Sequence, residues 1–447
     1  MAEIAPLTPL RYDLAKLAGG LASVVAPPYD VISREQRAAL AAQDPHNVVR
    51  LILPEGEGDA KYGVAADILK GWRAAGVLVR DDEPAFYRYD QTFVAPGAPA
   101  GSPSIRRRGF LALVRLVPFS DRIVLPHERT LSGPKEDRLK LFRATRTNLS
   151  PGFMLYRDAS GALGGPLETA QPLTEFTTPD GVRHSLAKVR SPDAIRAIVE
   201  GVARSTLLIA DGHHRYETAV RYSEEALAST PSALDRGEHR YFMSFLANGD
   251  DPDLVVFPTH RLVHSLASFS LDELLRRAAA TFDVTALPQG ASADAMLDRL
   301  RAAAGTERRP SVVVAVPDGR AAVLVLKASA NLDAHPTLGP KPPVLRRTDV
   351  TVLHAGIFEA LLGITPEAQV AKTNLWYVQD AAETLAEMRA GVRGQAFFLM
   401  NPTPVAAVRD VAEAGEVMPQ KSTFFYPKVA TGLAIHTLDP LRPVARA

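Results

Sequence analysis

The sequence has 447 residues, with 51 Lys and Arg, 50 Asp and Glu, and no Cys. At about 100 to 200 residues per domain, the chain has room for two or three cores. The lack of Cys excludes disulfides, a thiolate nucleophile, a zinc ribbon and an iron–sulfur cluster. A net charge of +1 gives little attraction to nucleic acid. The start, MAEIAPLTPL, has neither a basic leader nor an apolar core, and we expect a cytoplasmic protein with no membrane partner.

The first third of the chain alternates helix and strand patterns. The apolar start of 24–33 is typical of a strand, and two prolines then favour an extended or turn conformation. Ser33 is typical of an N-cap and predicts a helix through Ala42. A period of about two, with aromatic and β-branched residues, predicts strands over 86–93 and 108–116.

The middle of the chain predicts a helix, a buried strand and a second helix in succession. Ser191, Pro192 and Asp193 supply an N-cap, a first-turn proline and a first-turn acid to the first helix. The apolar run 206–210 suits a buried strand, and apolar side chains at helical spacing follow over 216–227.

The last third of the chain predicts further helices and strands. The clearest segments are a helix over 271–281, a strand over 282–286, a helix over 291–304, and strands over 311–316, 321–327 and 395–400. This mixture indicates a second α/β domain. We therefore expect a mixed α/β (α+β) protein with an N-terminal α/β extension over 1–120, a core over 121–265 and a C-terminal α/β domain over 266–447 that closes a catalytic cleft.

The sharpest feature is ADGHHRYETA, placed where the strand meets the following helix. First-turn amide groups and the helix dipole favour an anion, and Gly212 permits close approach to the backbone. His213, His214 and Arg215 add donors suited to phosphate, while Asp211 is suited to hold magnesium or to orient a histidine. The alternative is an Asp-capped helix whose histidines face solvent.

A second cluster is LPHERTLSGPKEDRL, residues 125–139, which contains two prolines and a glycine. These residues predict a loop that presents charged side chains, among them Glu128, Lys135 and Arg138, followed by an amphipathic helix. A carboxylate such as Glu128 beside a phosphate pocket would accept the proton of an attacking hydroxyl. The alternative is a solvated charged loop.

A third cluster lies near the C-terminus, where Lys421, Ser422 and Thr423 precede the aromatic run 424–426. This segment suits a loop that grips a substrate, and His260 is a further candidate for substrate binding. The aromatic run is equally consistent with core packing. The sequence has no P-loop, kinase-type, zinc-peptidase or serine-hydrolase motif.

The motifs resemble a bacterial family of unknown function whose hallmark is IADGHHRYETA. The resemblance extends over nearly the whole chain and includes APPYDVIS, HERTLSGPKEDRL, NLSPGFMLY and FFYPK. A remoter resemblance links the chain to archaeal free-serine kinases of the ParB/sulfiredoxin-like superfamily. Those enzymes carry a PHE segment, a strand leading into DGHHR, and a C-terminal loop with Lys and Thr, in the same order as here.

The kinase resemblance implies a ParB/sulfiredoxin-like core and specific roles. It places the donor phosphates at residues 211–215, the general base at Glu128 and the amino-acid substrate at 421–423. The chain departs from the kinases in a long stretch between Arg138 and Arg190, in about 120 extra residues at its start, and in Tyr216 where the kinases carry tryptophan.

These observations predict a magnesium-dependent phosphotransferase that acts on the hydroxyl of a small molecule, with free L-serine as the expected acceptor. The phosphoryl donor is ADP, ATP or pyrophosphate. Asp211 and His214 are expected to help place the metal or leaving group, and the donor is expected to contact Gly212, His213, Arg215, Lys135 and Arg138. The alternatives are a phosphatase acting on phosphoserine or a related ester, and a ParB-like nucleotide-binding switch. The near-zero net charge disfavours nucleic acid as a partner, although Arg106 to Arg108 form a short basic run.

Overall fold

The computed structural model describes residues 1–98, 101–130 and 132–446. Helices and both parallel and antiparallel strand pairs are present, which confirms the predicted mixed α/β class. The chain folds into two compact units. Unit 1 comprises the described residues of 1–126, of 130–254 and from 427 onward, whereas unit 2 comprises 127–129 and 255–426.

Unit 1 contains a mixed sheet that, within the described chain, has nine strands. The strand Leu207–Asp211 lies near one edge, parallel to its outer neighbour and antiparallel to its inner neighbour. The order across the sheet is Val124–Leu125, Leu207–Asp211, Gly152–Tyr156, Tyr241–Asn248, Ile105–Arg115, Phe86–Phe93, Arg183–Val189 and Gln171–Thr177, with Ile4–Ala5 paired to Ile105–Arg115.

The other elements of unit 1 are short strand pairs and helices. The pairs are Leu10–Tyr12 with Leu78–Arg80 and Thr147–Asn148 with His436–Thr437. The α-helices are Gly20–Val24, Arg34–Gln43, Val49–Ile52, Ala60–Ala74, Ser132–Thr145, Gly164–Glu168, Pro192–Ala203 and His213–Ser229, and the 3₁₀ turns are Leu14–Lys16, Tyr29–Val31, Phe119–Asp121 and Glu238–Arg240.

The helix Pro192–Ala203 shows how the sequence fixes the strand that follows it. Ser191 caps the helix through the amide of Ala194, and a proline occupies the first turn. Ile195, Ile198 and Val202 recur at helical spacing and are buried in the core of the unit 1 sheet. Because the helix is anchored at its start and along one face, the chain enters the strand Leu207–Asp211 in a defined position.

Unit 2 contains a six-stranded antiparallel sheet within the described chain. Its strand order is Phe282–Ala286, Ala321–Leu326, Ser311–Ala315, Ala396–Met400, His260–Val263 and Leu375–Val378, and a separate pair joins Val256–Phe257 to Phe424–Phe425. The helices are Leu271–Ala278, Ala293–Ala304, Asp349–Thr351, the π-helix Val352–Glu359, Pro366–Ala371, Ala381–Arg389 and Val405–Glu413. Apolar clusters cover both faces of the sheet.

Most predicted elements are present at or near their predicted bounds. The strands Phe86–Phe93 and Phe282–Ala286 match the prediction, and Ser33 caps the helix Arg34–Gln43 in a reciprocal capping box with Gln36. The predicted three-part division of the chain at residues 120 and 265 stays a prediction.

The prediction of a loop through Arg138 is wrong, because a helix spans Ser132–Thr145. Gly133 and Pro134 lie in its first turn, where a proline costs no helical hydrogen bond. Lys135 and Arg138 therefore project from a helix. The apolar start of 24–33 is also not a strand, since Val24 ends a short helix.

The basic run Arg106 to Arg108 lies on a strand, so its side chains alternate between faces. Arg107 is buried, whereas Arg106 and Arg108 pair with Asp90 and Asp251. The run is consequently no continuous basic surface. No helix in the described parts of the chain has the length and apolar character needed to span a bilayer.

Candidate functional site

The candidate site of unit 1 is built on the turn between the strand Leu207–Asp211 and the helix His213–Ser229. The strand is buried along its first four residues, and Asp211, half-buried, ends it. Gly212 adopts φ +94°, a left-handed conformation that glycine accepts without strain. The helix has 17 residues, so its N-terminal dipole is fully developed at this turn. The turn has the geometry of an anion site.

The buried side chain of Arg215 packs against the turn. Its side chain is only 5% exposed, and its Nη1 donates to the carbonyl of Pro151. Its Nη2 lies 3.6 Å from Asp211 Oδ2. A Cβ added to Gly212 would lie 3.0 Å from Arg215 Cζ, so glycine at this position leaves room for the guanidinium.

The alternative of a helix capped by aspartate with exposed histidines is not what the structure shows. The N-cap is Gly212, and Asp211 belongs to the preceding strand. His213 is 7% exposed and His214 is half-buried. The histidines are therefore part of the turn's packing as well as potential donors.

Lys428 approaches the same carboxylate from the C-terminal segment of the chain. Its Nζ lies 3.4 Å from Asp211 Oδ2. The segment is held in place by Gln91, whose side-chain amide donates to the carbonyl of Lys428 at 2.9 Å. Lys428 thus brings a second cation to the turn from 217 positions away in the sequence.

A third cation, Arg107, is buried in the interior of unit 1. Its guanidinium packs over Phe153 and Phe245, with Cζ 4.7 and 5.3 Å from the ring centres, and its Nη2 donates to Gln91. Nε and Nη1 are buried and have no hydrogen-bond partner among the described residues. Burial lowers the pKa of Arg107 to about 10, a shift that the negative charge of Asp211 opposes.

Three cations lie near Asp211. One carboxylate faces Lys428 and Arg215 directly and influences Arg107 through its charge. Distances of 3.4 and 3.6 Å are longer than those of tight charge-assisted hydrogen bonds, which lie near 2.7 to 2.9 Å. The predicted anion site at this turn stays a prediction.

Lys135 and Arg138, predicted to contact the donor, also belong to unit 1. Lys135 pairs with Glu217 at 2.7 Å. Arg138 donates to the carbonyl of Ile52 and stacks over Tyr29, with its Cζ 4.1 Å from the ring centre. Arg138 lines a small cavity together with Arg215. Lys135 lines a different depression, which is formed by the helices Ser132–Thr145 and His213–Ser229.

In unit 2 the structure brings Glu128 and the Lys421 segment together. The backbone amide of Met418 donates to the carbonyl of His127 at 2.8 Å, which aligns the two chain segments. The amide of Lys421 then donates to Glu128 Oε1 at 2.7 Å. Residues separated by 293 positions in the sequence are consequently adjacent.

The other predicted residues of unit 2 differ in their surroundings. Thr423 Oγ1 is 2.9 Å from His127 Nε2, and Ser422, which is buried, donates to the carbonyl of Pro419. His260 lies inside the sheet, where its Nδ1 accepts the amide of Met400 at 3.1 Å. Burial, assisted by the charge of the adjacent Arg261, lowers the pKa of His260 to about 4.

Sequence reasoning missed Lys428 and Arg107 as members of the unit 1 site. Lys428 lies in FFYPK, a motif quoted only for the family resemblance, and Arg107 was noted only as part of a basic run. Arg107 immediately precedes the strand predicted over 108–116, and extending that strand's alternation back by one residue would have placed it on a buried face, where a charged residue needs a special reason.

The chain belongs to a family of proteins of unknown function, DUF1015, whose model matches residues 4–351. This confirms the membership predicted from the IADGHHRYETA hallmark. No curated protein is significantly similar to the chain in sequence.

Several solved structures are similar to the chain at low identity. A conserved hypothetical protein from Pyrococcus furiosus is 13% identical, with 70% of this chain and 93% of that chain covered and a TM-score of 0.33. A free serine kinase in complex with AMP is 14% identical, with 70% and 89% covered and a TM-score of 0.34. SbnI from Staphylococcus aureus, with a C-terminal truncation, is 9% identical, with 73% and 87% covered and a TM-score of 0.33.

The packing of Gly212 against Arg215 generates the first prediction. Gly212→Ala introduces a Cβ at positive φ and 3.0 Å from the guanidinium, and we expect a loss of about 1 to 3 kcal/mol in the free energy of unfolding together with weaker binding of a phosphate donor. Gly161→Ala is the control, because Gly161 also has positive φ and an added Cβ there meets no atom within 4 Å. Denaturant titration and calorimetry with ADP would measure both effects. Equal donor affinity in the two variants would contradict the assignment.

Proposed function

We propose that the protein transfers a phosphoryl group from ADP, ATP or pyrophosphate to the hydroxyl of a small molecule, with free L-serine as the first acceptor to test. Residues 211–215 and Lys428 of unit 1 bind the phosphates of the donor, and Glu128 of unit 2 removes the proton from the acceptor hydroxyl. Such a reaction needs positioning and charge neutralisation more than covalent chemistry by the protein.

The observation that carries the proposal is that two cations, Lys428 and Arg215, meet at one carboxylate beside a helix N-terminus. A phosphoryl group would meet the ammonium of Lys428 and the positive end of the helix His213–Ser229, with Gly212 permitting close approach. Both cations already face the carboxylate of Asp211, and a phosphoryl group is the kind of ligand that such donors bind.

Glu128 has surroundings that suit a general base. Its Oε1 accepts the amide of Lys421 at 2.7 Å, which holds the carboxylate in one orientation. A general base must be oriented within hydrogen-bond reach of the proton that it takes, about 2.6 to 3.2 Å in the substrate complex. The motif order that resembles the free-serine kinases supports the same role for Glu128.

Magnesium, the predicted metal, fits this site only as an ion held mainly by the donor. Among the described residues no group of three or more His, Asp or Glu is arranged to hold a metal. Mg²⁺ is commonly bound by one or two carboxylates together with substrate phosphates, and Asp211 is the carboxylate available for that at the turn. When bound, the ion would neutralise the charge of the donor phosphates.

Product analysis tests the proposed reaction. The protein is incubated with L-serine, magnesium and each of ADP, ATP and pyrophosphate, and we expect O-phosphoserine with at least one donor, detected by mass spectrometry. Omitting the donor gives the background. A parallel incubation with O-phosphoserine alone distinguishes the phosphatase, which would release phosphate. If no donor yields phosphoserine, the serine kinase proposal is wrong.

The contact between Lys428 and Asp211 generates a prediction about donor affinity. Lys428→Met keeps the aliphatic stem and removes the charge, and we expect ADP or pyrophosphate to bind about 10- to 100-fold more weakly, the range for a lost hydrogen bond to a charged group. Isothermal titration calorimetry measures the affinity. Lys428 is a better probe than Arg215, because Arg215 is also buried against the Pro151 carbonyl.

A matched control is Lys140→Met. Lys140 also pairs with an aspartate of unit 1, Asp59, at 2.8 Å, but it lies on an exposed helix face. We expect its removal to leave donor affinity unchanged. If both variants lost a similar amount of donor affinity, the overall charge of the protein, and not a specific contact at the turn, would account for donor binding.

The role of Glu128 generates a prediction about turnover. Glu128→Gln retains an oxygen that can accept the Lys421 amide but removes the base, and we expect kcat to fall by at least about 100-fold while donor affinity stays within a factor of about two. Glu136→Gln is the control, because Glu136 is a half-exposed partner of Arg221. Turnover unchanged in Glu128→Gln would remove this carboxylate from the mechanism.

A further inference from the structure

Unit 2 buries an arginine directly behind the loop that contacts Glu128. Arg261 is 1% exposed and lies on the strand His260–Val263. Its Nη2 donates to the carbonyl of Lys421 at 3.0 Å, its Nη1 donates to the carbonyl of Thr259, and its Cζ lies 4.9 Å from the ring centre of Tyr377. Two of the three guanidinium nitrogens of Arg261 thus donate hydrogen bonds to backbone carbonyls.

The third nitrogen of Arg261 donates to a histidine. Nε lies 3.2 Å from His354 Nε2. Since guanidinium can only donate, His354 Nε2 must accept and carries no proton.

Gln369 fixes the same tautomer from the other side of the imidazole. Its side-chain nitrogen donates to the carbonyls of Ile364 and His354, at 2.9 and 3.2 Å. Its Oε1 therefore faces His354 Nδ1, at 2.7 Å, and accepts the proton there. The two neighbours agree on one neutral imidazole, with the proton on Nδ1.

The helix that carries His354 has an unusual form. Val352–Glu359 is a π-helix, a conformation that is rare and often found at functional sites. His354 is 5% exposed, and burial together with the charge of Arg261 lowers the pKa of His354 to about 3. The imidazole consequently stays neutral and remains an acceptor for Arg261 across the physiological pH range.

The residue that this network holds has a strained backbone. Lys421 has φ +58°, a left-handed conformation that is unfavourable for a non-glycine residue. Both of its peptide groups are anchored, since its amide donates to Glu128 and its carbonyl accepts from Arg261. Such strain persists only where the surroundings impose it.

We infer that Arg261 is a positioning residue: with neutral His354 as its fixed acceptor, it holds Lys421 in the left-handed conformation and thereby sets the orientation of the Glu128 carboxylate. The structural part of this inference stands on the contacts of unit 2 alone. Its consequence for catalysis rests on the proposed function, in which Glu128 is the general base.

The tautomer is tested in the unaltered protein. With ¹⁵N-labelled histidine, of which the chain has 11 residues, long-range proton–nitrogen spectra assign the protonated nitrogen of each ring, and His354→Gln identifies the signal. We expect a neutral ring with the proton on Nδ1 that does not titrate between pH 5 and 8. A ring protonated on Nε2, or one that titrates in this range, would overturn the inference.

Hydrogen exchange tests the hold on Lys421. Lysine in place of Arg261 keeps the charge but cannot reach the Lys421 carbonyl, Thr259 and His354 together. In Arg261→Lys we expect the amide of Lys421 to exchange about tenfold faster, the factor that corresponds to one net hydrogen bond. Exchange at the wild-type rate in the folded variant would contradict the inference.

The control for exchange is Arg346→Lys. Arg346 also belongs to unit 2 and donates to two loop carbonyls, those of Lys341 and Gly339. We expect this variant to destabilise its own loop and leave Lys421 exchange at the wild-type rate. Faster Lys421 exchange in Arg346→Lys would show general loosening of unit 2 and would count against a specific role for Arg261.

The catalytic consequence is measured in the phosphoserine assay. In Arg261→Lys we expect kcat to fall by about 100-fold, the loss typical of a misplaced reacting group, with donor affinity unchanged. If the wild type makes phosphoserine and Arg261→Lys has the same kcat, the positioning role is wrong while the proposed function stands. If the wild type makes no product, the function fails, and the exchange and tautomer results still decide the structural part.

Discussion

The chemistry proposed for unit 1 depends on the electrostatic interaction of the Asp211 carboxylate with Lys428 and Arg215. Asp211 ends a buried strand and faces Lys428 and Arg215 at 3.4 and 3.6 Å. The adjacent helix N-terminus adds further positive potential. Replacing Asp211 by a neutral residue would remove a negative charge that both Lys428 and the buried Arg215 face. The proposed role therefore requires the turn at Gly212, the buried Arg215 and Lys428 together.

The sequence predicted much of the framework because local physics determines it. The alternation over 86–93 and the cap, proline and acid at 191–193 each specify an element without reference to distant residues. The strand–turn–helix at 207–215 was predicted for the same reason, since a short apolar run, a glycine and a helical pattern are sufficient. Local signals failed at Ser132, where Gly133 and Pro134 read as a loop but are tolerated in a first helical turn.

What the sequence did not show are the contacts that join distant segments at these sites. Lys428 reaches Asp211 across 217 positions, and Lys421 reaches Glu128 across 293. No periodicity or cap signals such pairs, because they are set by the packing of the sheet and by long-range hydrogen bonds such as that from the Gln91 side chain to the Lys428 carbonyl. A single sequence can name the charged residues but not the partners that determine their roles.

Each unit has a buried arginine near one of the two candidate carboxylates, Arg107 near Asp211 and Arg261 near Glu128. Burial lowers the pKa of both Arg107 and Arg261 to about 10, and the charges of Asp211 and Glu128, respectively, oppose that shift. A buried guanidinium is costly, and apolar side chains of similar volume often stabilise a core at least as well. Stability alone therefore does not account for an arginine in each interior. In each unit a buried guanidinium therefore lies within electrostatic range of the carboxylate to which we propose a role, Asp211 in unit 1 and Glu128 in unit 2.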